Sequence, residues 1–168
     1  MSTKTWYRAA TMVGAATLLV GGPAWAGPQP APHAAAVAPS NSDLEAVRID
    51  PDPAPAGGLT ELHAHVANLG PETTGSTMTI TVVLPRGTAA EEPFYPDNCT
   101  ESENHRRLRC TFPAGLKSQR TATAIIPIRF DDDVEPGVLR GGSFTVQSPD
   151  DRNHANNHTE FDLTVTAG

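Results

Sequence analysis

Beyond residue 26 the chain has no tryptophan, and its only tyrosine there is Tyr95. Polysaccharide recognition by stacking sugar rings on aromatic platforms is therefore disfavoured, because aromatic faces supply much of that contact area. Lysine is almost missing: Lys4 and Lys117 are the only two. The formal charge is −7. Such an acidic chain repels nucleic acid and anionic surfaces, so nucleic acid is not expected as a partner. Cysteine is limited to Cys99 and Cys110. They lie too close in sequence to be the long-range inter-sheet pair of an antibody-type domain. After residue 26 no long apolar run occurs, and no stretch repeats its apolar residues every three or four positions as an amphipathic helix does.

The first residues carry a different pattern. Lys4 and Arg8 make a short positive segment, and an apolar run follows from Ala9 to Val20. That run is too short to span a bilayer and suits the core of a secretory signal. Gly21, Gly22 and Pro23 break it, and Ala24-Trp25-Ala26 is an A-x-A cleavage site. The expectation is a signal peptide over residues 1–26, cut before Gly27. Cleavage would remove both tryptophans and two positive charges, taking the formal charge from −7 to −9. Residues 27–42 are rich in Pro and Ala without any hydrophobic period, which predicts a disordered linker. Residues 43–168 have the size of one domain. The expected location is secreted, extracellular or associated with the cell wall, with no membrane attachment after cleavage.

In this domain apolar residues recur at every second position, the signature of half-buried strands. Leu62, Ala64 and Val66 share one face, opposite Glu61, His63 and His65. Met78, Ile80, Val82 and Leu84 alternate with Thr79, Thr81 and Val83, and Leu108, Cys110 and Phe112 oppose Arg107, Arg109 and Thr111. The same holds for Ala124, Ile126, Ile128 and Phe130, for Phe144 and Val146, and for Phe161, Leu163 and Val165. Turn formers such as "DPDPAPAGG", "NLGPETTGS" and "DDDVEPG" lie between them. The pattern predicts an all-β fold, a β-sandwich of about seven antiparallel strands. Pro127 cannot donate to a ladder, so its strand is expected at an edge or bulged there.

Export places Cys99 and Cys110 in an oxidising compartment, and an even count predicts a disulfide. The loop between them, "CTESENHRRLRC", is very polar. A bridge across so short a loop is worth about 3 kcal/mol by chain entropy. The expectation is a surface staple.

The ordered set of short motifs resembles a bacterial surface-repeat family, domain of unknown function number 11, and the related cell-adhesion domains found in bacteria. The set comprises Asp43-Leu44, Asp52-Pro53, "N-x-G-P" at Asn68 to Pro71, and "L-P-x-G" at Leu84 to Gly87. The Cys pair before the turn at Gly115 and the closing Asn156-Asn157 complete it. The resemblance implies an immunoglobulin-like sandwich on a secreted or wall-bound protein. It brings no catalytic residues. The chain departs from the family pattern in holding one copy and no wall-sorting motif.

Two groups could bind ions. Asp150, Asp151, Asn153, Asn156 and Asn157 offer the hard oxygen ligands that Ca²⁺ prefers, though without EF-hand spacing. Asp and Asn also tie turns by bonding to nearby backbone, and this turn reading is the more economical. His63 and His65, two apart on one strand face, could hold Zn²⁺ or Cu²⁺ given a third ligand from His105, His154 or a carboxylate. No catalytic constellation is evident, so neither an enzymatic activity nor a cofactor is expected. The leading reading is a non-catalytic secreted module with a protein or cell-wall partner of unknown identity. The alternative is a small protease inhibitor presenting "AAEEPFYPDNCTESEN", with Phe94 and Tyr95 exposed near the bridge.

Overall fold

The computed structural model describes residues 39–168. The signal-peptide expectation and most of the linker expectation fall outside them. Ten strands and one short 3₁₀ turn make up the described chain. They are β1 (Leu44–Val47), β2 (Ala54–Pro55), β3 (Leu59–Asn68), β4 (Met78–Val83), β5 (Thr88–Ala90), β6 (Thr100–Glu101), β7 (Arg107–Phe112), β8 (Thr121–Phe130), β9 (Gly137–Gln147) and β10 (His158–Thr166). The 3₁₀ turn covers His154–Asn156.

Two sheets face one another. One has the order β1-β3-β8-β5, the other β2-β10-β9-β4-β7-β6. Pairings are antiparallel except the short β2–β10 contact, which is parallel. The alternation read from the sequence is the alternation of burial. Leu62, Ala64 and Val66 of β3 and Ala124, Ile126, Ile128 and Phe130 of β8 point inward from the smaller sheet. Met78, Ile80, Val82, Phe144, Val146, Phe161 and Leu163 meet them from the larger one. With no tryptophan among the described residues, Phe130, Phe144 and Phe161 are the largest fully buried side chains there. Each contributes about 1.5–3 kcal/mol by leaving water.

Pro127 departs from expectation in an instructive way. Its strand β8 lies inside the sheet, between β3 and β5. The Pro127 carbonyl accepts from Glu91 N, just past the end of β5. In a strand a residue's N–H and C=O point to the same side, so the missing donor also faces that way. The neighbouring chain pairs Glu91 with Pro127 and then rejoins only at Tyr95, which exchanges both backbone bonds with Ile125. The lost N–H therefore falls where the ladder is already interrupted.

Cys99 and Cys110 are joined as a disulfide. The bridge is not confined to the surface: Cys110 is fully buried among core residues and Cys99 packs against them. Residues 40–42, assigned to the linker by sequence, are held against the sandwich. Ser42 is buried and bridges to Asp151, and Ser40 N donates to Asp150 Oδ1 (3.1 Å).

Candidate functional site

Most of the short motifs meet at one end of the sandwich. Asn68 closes β3 and is fully buried. Its Oδ1 accepts from Asp43 N (3.3 Å) and Gly70 N (3.1 Å), while its Nδ2 donates to Glu72 O (2.7 Å) and Leu116 O (3.0 Å). All four hydrogen-bonding positions of the amide are used. Gly70 is required by close approach, since a Cβ there would lie 2.6 Å from the Ser42 Cα and the Asp43 N. Thr74 Oγ1 accepts from Gly115 N and Leu116 N and ties in the turn before β8.

The five oxygen-bearing residues named from sequence divide into two kinds. Asp150 is fully buried and accepts from Ser40 N, Ser76 N (2.6 Å) and Ser76 Oγ (2.9 Å). Burial pushes this carboxyl up, but the bonds from Ser76, Ser40 and Gly75 prevail and hold it below the ordinary carboxylate value. Asn153 caps the 3₁₀ turn by accepting from Ala155 N. These two residues are structural ties. Asp151, Asn156 and Asn157 differ. Asp151 Oδ1 accepts from Leu44 N and Asn153 N, and Asn156 Nδ2 donates to Asp43 Oδ1. Yet Asp151 Oδ2, Asn156 Oδ1 and Asn157 Oδ1 are buried with no partner among the described residues.

Beside this loop a cleft of about 460 Å³ opens on the outer face of the larger sheet. Thr77, Thr79, Thr145, Ser148, His154 and Arg109 line it. The strand register places two of these residues, Thr145 and Arg109, in one row. His158, Thr145, Thr81, Arg109 and Thr100 stand opposite one another in successive strands, forming one polar row across β10, β9, β4, β7 and β6. Neighbours in such a row are about 4.8 Å apart. Arg109 forms no ion pair among the described residues. A guanidinium beside hydroxyls can engage a carboxylate or another acceptor-rich group. This cleft was missed from sequence, although the alternating threonines of "TMTITV" and "FTVQ" were its signal.

The histidine pair lies on the other sheet. His63 and His65 stand on the outer face of β3, ring centroids 5.9 Å apart. His63 Nε2 is engaged by Glu61, and His65 Nδ1 meets Thr123 Oγ1 at 2.8 Å. Partial burial, with help from His63, pushes the His65 imidazole below its ordinary value. The two histidines suggested as third ligands are elsewhere. His105 contacts Glu101 in the β6–β7 hairpin, and His154 sits in the 3₁₀ turn by the opposite sheet. Among the described residues no three of His, Cys, Asp and Glu are grouped to hold a metal ion.

In the segment before β6, Tyr95 is exposed (61 %) but Phe94 is half-buried and packed against the core. Only one of the two aromatic side chains is thus presented to solvent.

No family model matches the chain, and no curated protein matches it. Solved structures do. The third ScaC cohesin of Acetivibrio cellulolyticus, in complex with the ScaB dockerin, is 11 % identical with a TM-score of 0.51 over 68 % of this chain and 94 % of that one. A CARDB domain from Pyrococcus furiosus, in complex with di-metal ions, is 20 % identical with a TM-score of 0.49, covering 77 % and 97 %. The collagen-binding domain of a Staphylococcus aureus adhesin is 7 % identical with a TM-score of 0.47, covering 76 % and 99 %. The likeness is one of fold. This chain is an immunoglobulin-like β-sandwich.

Proposed function

We propose that this chain is a secreted, non-catalytic immunoglobulin-like module that binds a protein partner through the outer face of its six-stranded sheet. One observation carries the reading: Arg109, which forms no ion pair among the described residues, stands in a cleft lined by threonine and serine hydroxyls, on a chain of net negative charge. A partner offering a carboxylate to Arg109 and backbone polar groups to the threonine row fits that surface. A cohesin of the same fold was solved with a dockerin bound, so the fold can present a protein-binding face.

The test is capture of secreted and wall proteins on the immobilised chain, on Arg109→Glu and on Lys117→Glu as a charge control. A protein retained by the native chain and by Lys117→Glu, but lost with Arg109→Glu, supports the proposal. Equal retention by all three chains refutes it.

A second reading rests on Tyr95. That side chain is exposed while its backbone is bonded on both sides to Ile125, close in sequence to the disulfide at Cys99. A rigidly held aromatic is suited to filling a protease specificity pocket. Micromolar inhibition of a secreted protease, abolished by Tyr95→Ala, would favour it. No inhibition across a panel would remove it.

A further inference from the structure

Three of the four buried side-chain polar atoms that lack a partner among the described residues belong to Asp151, Asn156 and Asn157. The fourth, Arg106 Nε, is a donor in the β6–β7 hairpin. Asp151 is 5 % exposed and Asn157 6 %. All three orphaned atoms are oxygens, so none can satisfy another. An acceptor buried without a donor costs about 1–3 kcal/mol, and more when it is charged.

The surroundings fix where two of these oxygens stand. Asp151 Oδ1 is committed to Leu44 N and Asn153 N, which sets the direction of Oδ2. Asn156 is anchored through Nδ2 on Asp43, the residue before Leu44, which sets the direction of its Oδ1. Two of the three side chains are thus pinned to consecutive residues at the start of β1. Asn157 follows directly, and its backbone carbonyl accepts from Val146 N, which holds the residue at the edge of β10. The 3₁₀ turn His154–Asn156 folds the segment back so that one short loop carries all three.

One water molecule has two hydrogens and would leave one of three acceptors unmet. A cation serves all three at once. The donors are carboxylate and amide oxygens with no thiolate, a set that favours a hard ion. We propose that Asp151 Oδ2, Asn156 Oδ1 and Asn157 Oδ1 hold a Ca²⁺ ion, with water filling its remaining positions. Asp150 and Asn153 take no part, because their oxygens are occupied. The site joins the loop before β10 to the chain entering β1. With a single carboxylate its affinity falls in the weak extracellular range, a dissociation constant of about 0.1–1 mM.

The test is thermal unfolding and titration calorimetry of the purified chain in chelator, in millimolar Ca²⁺ and in millimolar Mg²⁺. Two variants accompany it. Asp151→Asn keeps an oxygen for Leu44 N and places an amide N–H where the orphaned oxygen stood. Asn157→Asp adds a second carboxylate. The expected result is a melting temperature that rises by several degrees with Ca²⁺ and less with Mg²⁺. Asp151→Asn is expected to lose that response while melting, in chelator, at or above the native chain. Asn157→Asp is expected to melt lower in chelator and to bind Ca²⁺ roughly tenfold more tightly, since ligand charge tunes calcium affinity. A native chain indifferent to Ca²⁺ overturns the proposal and leaves a water-filled turn. A full Ca²⁺ response in Asp151→Asn overturns it equally.

Discussion

Asn68 receives two backbone N–H groups and donates to two carbonyls from within the core. Its partners lie 25, 2, 4 and 48 residues away. The tight "N-x-G-P" spacing was readable as a motif, but the long-range partners that give it meaning were not. Asn68→Ala is expected to lower unfolding free energy by about 3 kcal/mol in chemical denaturation, because several buried groups lose their partner at once. The division among the five loop residues was equally invisible. It depends on Ser76, Leu44 and Asp43, which lie 74, 107 and 113 residues from their partners. Asp150 adds a pH dependence. Its carboxyl is held below the ordinary value, so its contribution is complete above the unfolded value of about 3.9. The contribution is then lost as the pH falls through the folded value. Denaturation measured from neutral to strongly acidic pH is expected to show a shallower acid slope for Asp150→Asn than for the native chain.

Long strands were legible because alternation over six or more residues leaves one interpretation. β3, β4, β7, β8 and β10 all follow it. β2 and β6 have two residues each and β5 has three, which is too few to show a period. They exist because a longer neighbour pairs with them. The first half of β9 is also silent, since Gly137, Gly141 and Gly142 carry no side chains to alternate. Gly142 has a packing role instead. A Cβ there would lie 2.5 Å from the Phe161 ring, beside the point where the β9–β10 register shifts. Gly142→Ala is expected to cost about 1–3 kcal/mol, checked by the denaturation midpoint. The disulfide was legible as a pair, but its depth was not. Cys110 occupies an inward position of β7, so the bridge fastens the polar β6–β7 hairpin to the core. Reduction is expected to lower stability by about 3 kcal/mol, read as a shift in midpoint with and without reductant.

At the scale of the molecule, two sheets of unequal size leave two outer faces of different character. The face of β3 and β8 carries His63, His65, Thr123 and the Glu91–Arg129 pair, whose charges are largely engaged with one another. The face of β4, β7 and β9 carries threonines and Arg109, which forms no ion pair among the described residues. Alternation in the sequence separates inside from outside but treats the two outer faces alike, which is why the cleft needed the register of β4, β7 and β9 to become visible. The most direct measurement is hydrogen–deuterium exchange on the chain with and without its captured partner. The expected result is protection in Thr77–Thr81 and Thr145–Ser148, with β3 and β8 unchanged. Protection confined to β3 and β8, or to the segment around Tyr95, would contradict recognition by the six-stranded face.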